Sequence, residues 1–99
     1  MSATLIETET TASTQLAPRW KVILHDDPVT TFEFVVDLVR RVFGKSGGDA
    51  YRITREVHET GSALADVLPF EQAEFRVEQV HSLARPQGFP LTATMEPAD

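Results

Sequence analysis

The most chemically loaded stretch of the chain is His25-Asp26-Asp27-Pro28, three titratable side chains followed by a residue that cannot continue a strand ladder. Such groups, placed where a strand gives way to a helix, suit a binding site. They also suit a purely local task, because aspartate carboxylates accept hydrogen bonds from backbone N–H groups a few residues on and so build a turn. Other constellations are weaker. His25-x-Asp27 with His58 or His81 has the composition of a two-histidine, one-carboxylate iron site. A chain of 99 residues, however, leaves little room for a barrel enclosing iron, a cosubstrate and oxygen. Val57-His58-Glu59-Thr60 lacks the second histidine of H-E-x-x-H, and there is no G-x-S-x-G, glycine-rich phosphate loop or spaced Cys/His pair. These residues point away from an enzyme and from a resident metal or cofactor.

Positioning the loaded stretch falls to elements that the hydrophobic spacing marks out. Residues 20–25 form an aromatic and β-branched run that predicts a strand, stopped by Asp26-Asp27-Pro28. Phe32, Val35, Val36, Val39, Val42 and Phe43 recur at helical spacing and predict a helix ended by Gly44, with Thr30 and Glu33 spaced as a capping box. Ser46 is placed to cap a second helix with Ala50, Ile53, Thr54 and Val57 on one face and Gly61 as its stop, so His58 falls near its C-terminal end. Residues 62–68 predict a strand, and Pro69 the first residue of a third helix with the stripe Phe70, Ala73, Val77, Val80 and Ala84. Leu91, Ala93 and Met95 alternate with Thr92, Thr94 and Glu96 as a last strand. The order β-α-α-β-α-β predicts an α+β fold of two layers, three helices packed on one face of a small three-stranded sheet.

Composition bounds the function from outside. With 41% hydrophobic and 24% charged residues the chain reads as one ordinary globular domain. A formal net charge of -6 opposes nucleic acid and anionic membrane surfaces as partners and favours a cationic ligand. The basic residues Arg40, Arg41, Lys45, Arg52 and Arg55 interleave with Asp37, Asp49, Glu56 and Glu59, the pattern of a solvated, salt-bridged helix surface. No cysteine is present, no apolar run approaches a membrane span, and no secretory signal opens the chain, so a cytoplasmic location is expected. Residues 1–17, rich in Thr, Ser, Ala and Glu, predict a flexible tail and leave residues 18–99 as the domain.

Read together, the run from Lys21 to Val36, the segment Val57-His58-Glu59-Thr60-Gly61, Glu71 and Arg76, and the ending Pro90-Leu91-Thr92-Ala93-Thr94-Met95-Glu96 resemble the ClpS family. The resemblance extends over about residues 19–96, in order. It implies a small antiparallel sheet flanked by three helices, and an adaptor that recognises N-terminal degradation signals. Such adaptors deliver the proteins bearing these signals, with Leu, Phe, Tyr or Trp first, to a ClpA- or ClpC-type unfoldase of the ClpP protease. By the same resemblance Asp26, Asp27 and His58 hold the ligand's α-amino group, and Phe32, Val35, Val57 and Leu91 wall a pocket for its side chain. Val29, Thr30, Thr31 and Thr54 stand around that pocket, Glu71 and Arg76 contact the unfoldase N-domain, and the tail engages the unfoldase during handover. The chemistry is consistent. An α-ammonium carries three N–H donors and wants acceptors, which two carboxylates and a neutral imidazole supply. The chain also departs from the family pattern: Asp26 stands where Asn is usual, Phe32 and Thr54 where methionines are common, and Ser62 where lysine is usual. The alternative reading is a regulator that docks on the unfoldase and alters its substrate choice without holding N-termini.

Overall fold

Val22 and Leu24, two residues apart in the first strand, are both 0% exposed, whereas Lys21, Ile23 and His25 alternate onto the other face. That alternation decides which side of the sheet the helices cover. A computed structural model describes residues 17–98; apart from Ala17, the expected tail lies outside the described residues. The elements are β1 (Arg19–His25), α1 (Phe32–Phe43), α2 (Gly47–Thr60), β2 (Ser62–Pro69), α3 (Phe70–Ala84), a 3-10 turn (Arg85–Gln87) and β3 (Thr92–Pro97), in the expected β-α-α-β-α-β order. β1 is the central strand, with β2 and β3 antiparallel on either side. The β1–β2 register shifts at Val22/Ile23, whose partners are Asp66 and Leu64. This bulge changes the parity of β2 and returns Leu68, opposite Trp20, to the core side.

The core lies between the sheet and the helices. α1 contributes Val35, Leu38, Val39, Val42 and Phe43, and α2 contributes Ala50, Ile53, Thr54 and Val57. α3 packs against all three strands through Ala73, Val80 and Ala84, and the sheet answers with Ala63, Ala65 and Ala93. Small residues on both surfaces let the two layers approach closely. Each buried Val or Leu contributes roughly 1.5–3 kcal/mol over leaving it in water, which is what fixes this face inward.

Two boundaries and the burial of one residue differ from expectation. Thr31, not Thr30, caps α1, its hydroxyl accepting the Phe34 N–H at 3.2 Å, because Thr30 is already bonded to Asp27. Pro69 is the last residue of β2, paired with Arg19 at ψ 155, and the helix starts one residue later. Phe70 is 46% exposed rather than part of the buried stripe, and packs edge-on against Trp20 with ring centroids 5.2 Å apart.

His81 ties the last strand to the helix layer. Its Nε2 accepts the Ala93 N–H at 3.1 Å, which requires that nitrogen unprotonated and the ring neutral. Burial, and then the charge of Arg85, hold its pKa below the ordinary histidine value. Folding therefore favours proton release, so this contribution is complete above about pH 6.5 and is lost as the pH falls from there towards the depressed folded value. Replacing His81→Gln, which keeps an acceptor but cannot titrate, is expected to flatten the dependence of the urea midpoint on pH between about 5 and 7. An unchanged slope would assign the titration to another group.

Candidate functional site

The end of β1 and the end of α2 are stapled together. His25 pairs with Ser62, and the next N–H, of Asp26, donates to the Gly61 carbonyl at 2.9 Å. Gly61 closes α2 at φ 96, a left-handed conformation that only glycine adopts without cost, and its own N–H donates to the Val57 carbonyl at 2.9 Å. The last turn of α2, which carries His58, therefore sits beside Asp26.

Asp27 organises the loop that follows. Its Oδ1 accepts the N–H groups of Val29 at 2.8 Å and Thr30 at 2.7 Å, and its Oδ2 accepts the Thr30 hydroxyl at 2.6 Å. Burial alone would raise its pKa; the Thr30 hydroxyl, the backbone N–H groups of Thr30 and Val29, and the charge of Arg85 outweigh that and hold it below the usual aspartate value. The two members of the acidic pair differ. Asp27 is a turn former, while Asp26 is exposed and makes no side-chain hydrogen bond among the described residues.

Between the loop and the helices lies a cleft. Val35 of α1 and Thr54 and Val57 of α2 give it apolar walls, Asp26 and His58 give it polar groups, and Thr30, Thr31 and Phe32 complete the lining. The Thr54 hydroxyl donates to the Ala50 carbonyl at 2.7 Å, which leaves its methyl as the apolar contribution. Phe32 sets its ring edgewise between Tyr51, at 5.3 Å, and His58, at 6.4 Å. With the ring there the cleft measures about 20 Å³, room for a single water.

Eight of the residues expected at the site are thus brought together, and three are not. Asp27 is engaged within its loop, Val29 is 55% exposed, and Leu91, 1% exposed, belongs to the core; none of these lines the cleft. Glu71 and Arg76 lie on α3, which supplies no lining residue. Arg76 donates to the Gln79 Oε1 at 2.6 Å and its guanidinium lies 5.3 Å from the Phe75 ring. The iron arrangement has no geometry: the His25 Nε2 lies 2.7 Å from the Thr94 hydroxyl, His81 is engaged with Ala93, and among the described residues no three His, Asp or Glu side chains gather around one point. Two contributors were not anticipated. The Gly61 carbonyl carries no sequence signal, whereas Tyr51 stands at i−3 and i−7 from Thr54 and His58, a helical spacing that reveals the shared face.

With this geometry in hand, comparison with known proteins is specific. The family described as ATP-dependent Clp protease adaptor protein ClpS matches residues 15–94. The chain belongs to the ClpS family. The ClpS of Desulfatibacillum aliphaticivorans is 48% identical over 90 residues, covering 91% of this chain and 86% of that protein. That of Ruegeria sp. strain TM1040 is 42% identical over 92 residues, covering 93% and 81%. The solved structure of Agrobacterium tumefaciens ClpS2 bound to L-phenylalaninamide superposes with a TM-score of 0.78 at 34% identity, covering 81% of this chain and 96% of that one. ClpS proteins are adaptors of the Clp protease and not enzymes. The fold and element order found here are those of that family.

The Gly61 staple makes a prediction of its own. Nothing lies within 4 Å of a Cβ built on Gly61, so the cost of Gly61→Ala is conformational, about 1–2 kcal/mol. A lowered urea midpoint is expected. Gly48→Ala, at an open helical position, should raise the midpoint instead; equal behaviour of the two variants would show that the left-handed cap is not needed.

Proposed function

We propose that this adaptor captures proteins by a free, large, apolar N-terminal residue (Leu, Phe, Tyr or Trp) and delivers them to a ClpA- or ClpC-type unfoldase of the ClpP protease in the cytoplasm. The observation that carries the reading is one cleft in which the Asp26 carboxylate and the His58 ring stand beside the apolar walls of Val35 and Val57. An α-ammonium has three donors; Asp26 and a neutral His58 accept two, and the lone pair left on Asp27 is the third acceptor. The ClpS2 relative supports this, since L-phenylalaninamide presents a free α-amino group beside an aromatic side chain.

Admitting such a side chain requires the Phe32 ring to turn away from His58. The ring stands on the first residue of α1 and is half-buried, so the movement is a rotamer change and not a refolding. Docking on the unfoldase N-domain is assigned to Glu71 and Arg76. They lie on α3, an element separate from the cleft, so one face of the domain holds cargo while another meets the partner.

Amine capture predicts that acetylating L-phenylalaninamide on nitrogen, which removes the charge and two donors, weakens binding at least tenfold by calorimetry; equal affinities would exclude the mechanism. The two aspartates should separate by different readouts. Asp26→Ala is expected to lower affinity about tenfold, a modest loss because solvent screens the exposed carboxylate, with the urea midpoint unchanged. Asp27→Ala should lower both affinity and midpoint, because it leaves two backbone N–H groups and the Thr30 hydroxyl without their acceptor. Identical behaviour in both assays would remove the distinction.

A further inference from the structure

Beyond the Phe32 ring, on the side away from His58, the surface opens into a second and larger groove of about 380 Å³. It is lined by Phe32, Glu33, Val36, Asp37, Arg40 and Tyr51. Its apolar content comes from Phe32, Val36 and a Tyr51 side chain that is 54% exposed and packed edgewise on Phe32. Its margin carries the charged side chains of Glu33, Asp37 and Arg40, of which Asp37 is paired with Arg41 at 3.2 Å. Phe32 lines both this groove and the cleft, so the two are continuous across one ring.

The groove also has a direction. Its α1 residues run from position 32 to position 40, about 12 Å along a helix rising 1.5 Å per residue, and an extended peptide covers that length in three to four residues. A chain whose first residue sits in the cleft has its next residues within reach of the near end of the groove, and no more than the width of one ring to cross. We propose that this groove receives the side chains of the second and third residues of the same substrate whose N-terminal residue the cleft holds, with preference for large apolar side chains against Val36 and Tyr51. This rests on the reading given under Proposed function. It adds to that reading a preference beyond the first residue.

The test uses the full chain, L-phenylalaninamide, and two pentapeptides that begin Phe-Ser-Ser and Phe-Leu-Leu and are otherwise identical. The leucine peptide is expected to bind about five- to tenfold more tightly, the effect of partly burying one leucine side chain. Val36→Ser and Tyr51→Ala should each abolish that ratio, and Val36→Ser should leave the affinity for L-phenylalaninamide as it was. Equal affinity for the two peptides while L-phenylalaninamide still binds overturns the groove and leaves the cleft standing. A ratio that survives both substitutions also overturns it. Failure of L-phenylalaninamide to bind at all removes the cleft reading and the groove with it. Self-association of the chain that Val36→Ser abolishes, with peptide affinities unchanged, would give the groove to a second copy and overturn the proposal.

Discussion

The site depends on one hydrogen bond, from the Asp26 N–H to the Gly61 carbonyl, at 2.9 Å. It extends the β1–β2 ladder by one rung beyond His25 and Ser62, and so locks the chain leaving the central strand to the chain leaving α2. The Asp26 and His58 side chains of the cleft are brought together by this link. Asp26 stands at one end of it, and His58 sits three residues before Gly61 on the helix whose last turn it closes. The left-handed glycine is the reason the link can form. A residue with a Cβ would resist that conformation.

The two neighbouring aspartates stand in different surroundings. Asp27 faces into its own loop, where three donors and the nearby Arg85 favour its ionised form. Asp26, one residue earlier, has its backbone in the staple and its carboxylate in the cleft. A net charge of -6 on 99 residues is thus only partly a matter of solubility. Asp27 holds a loop in shape, and Asp26 faces the cleft. An adaptor breaks no covalent bond, and the cleft accordingly offers polar groups beside an apolar recess with no catalytic constellation among the described residues.

Phe32 joins the two recesses on this face. It is the first residue of α1, it lines the cleft with His58 and the groove with Tyr51, and its contacts with both rings are edgewise. Such contacts are worth about 0.5–1.5 kcal/mol, enough to favour one position and too little to prevent another. Thr31 and Asp27 hold the backbone behind it.

Much of this was legible in the sequence, and the physics of each element explains why. Valines and phenylalanines at helical spacing specify α1 because burial of that face is the dominant local term; Ser46, Gly44 and Gly61 mark ends because caps and left-handed turns have few residue solutions. The runs Lys21 to Val36, Val57 to Gly61 and Pro90 to Glu96, with Glu71 and Arg76, carried the family resemblance. Other features belonged to the tertiary structure. Thr30 and Thr31 are chemically alike, and only the competing claim of Asp27 on Thr30 decided which of them caps α1. Phe70 fits the helical stripe by spacing, yet it lies on the first residue of α3 and packs on Trp20 at the surface. Leu91 entered the core, and Asp27 turned inward to its loop. The sequence determined the elements and their order, because these follow from spacing along the chain, and it marked Asp26 and His58 as candidate polar groups. Which polar groups share a cleft was decided by packing α1 on α2 and joining β1 to Gly61, contacts between residues about 20 to 35 positions apart that no local pattern encodes.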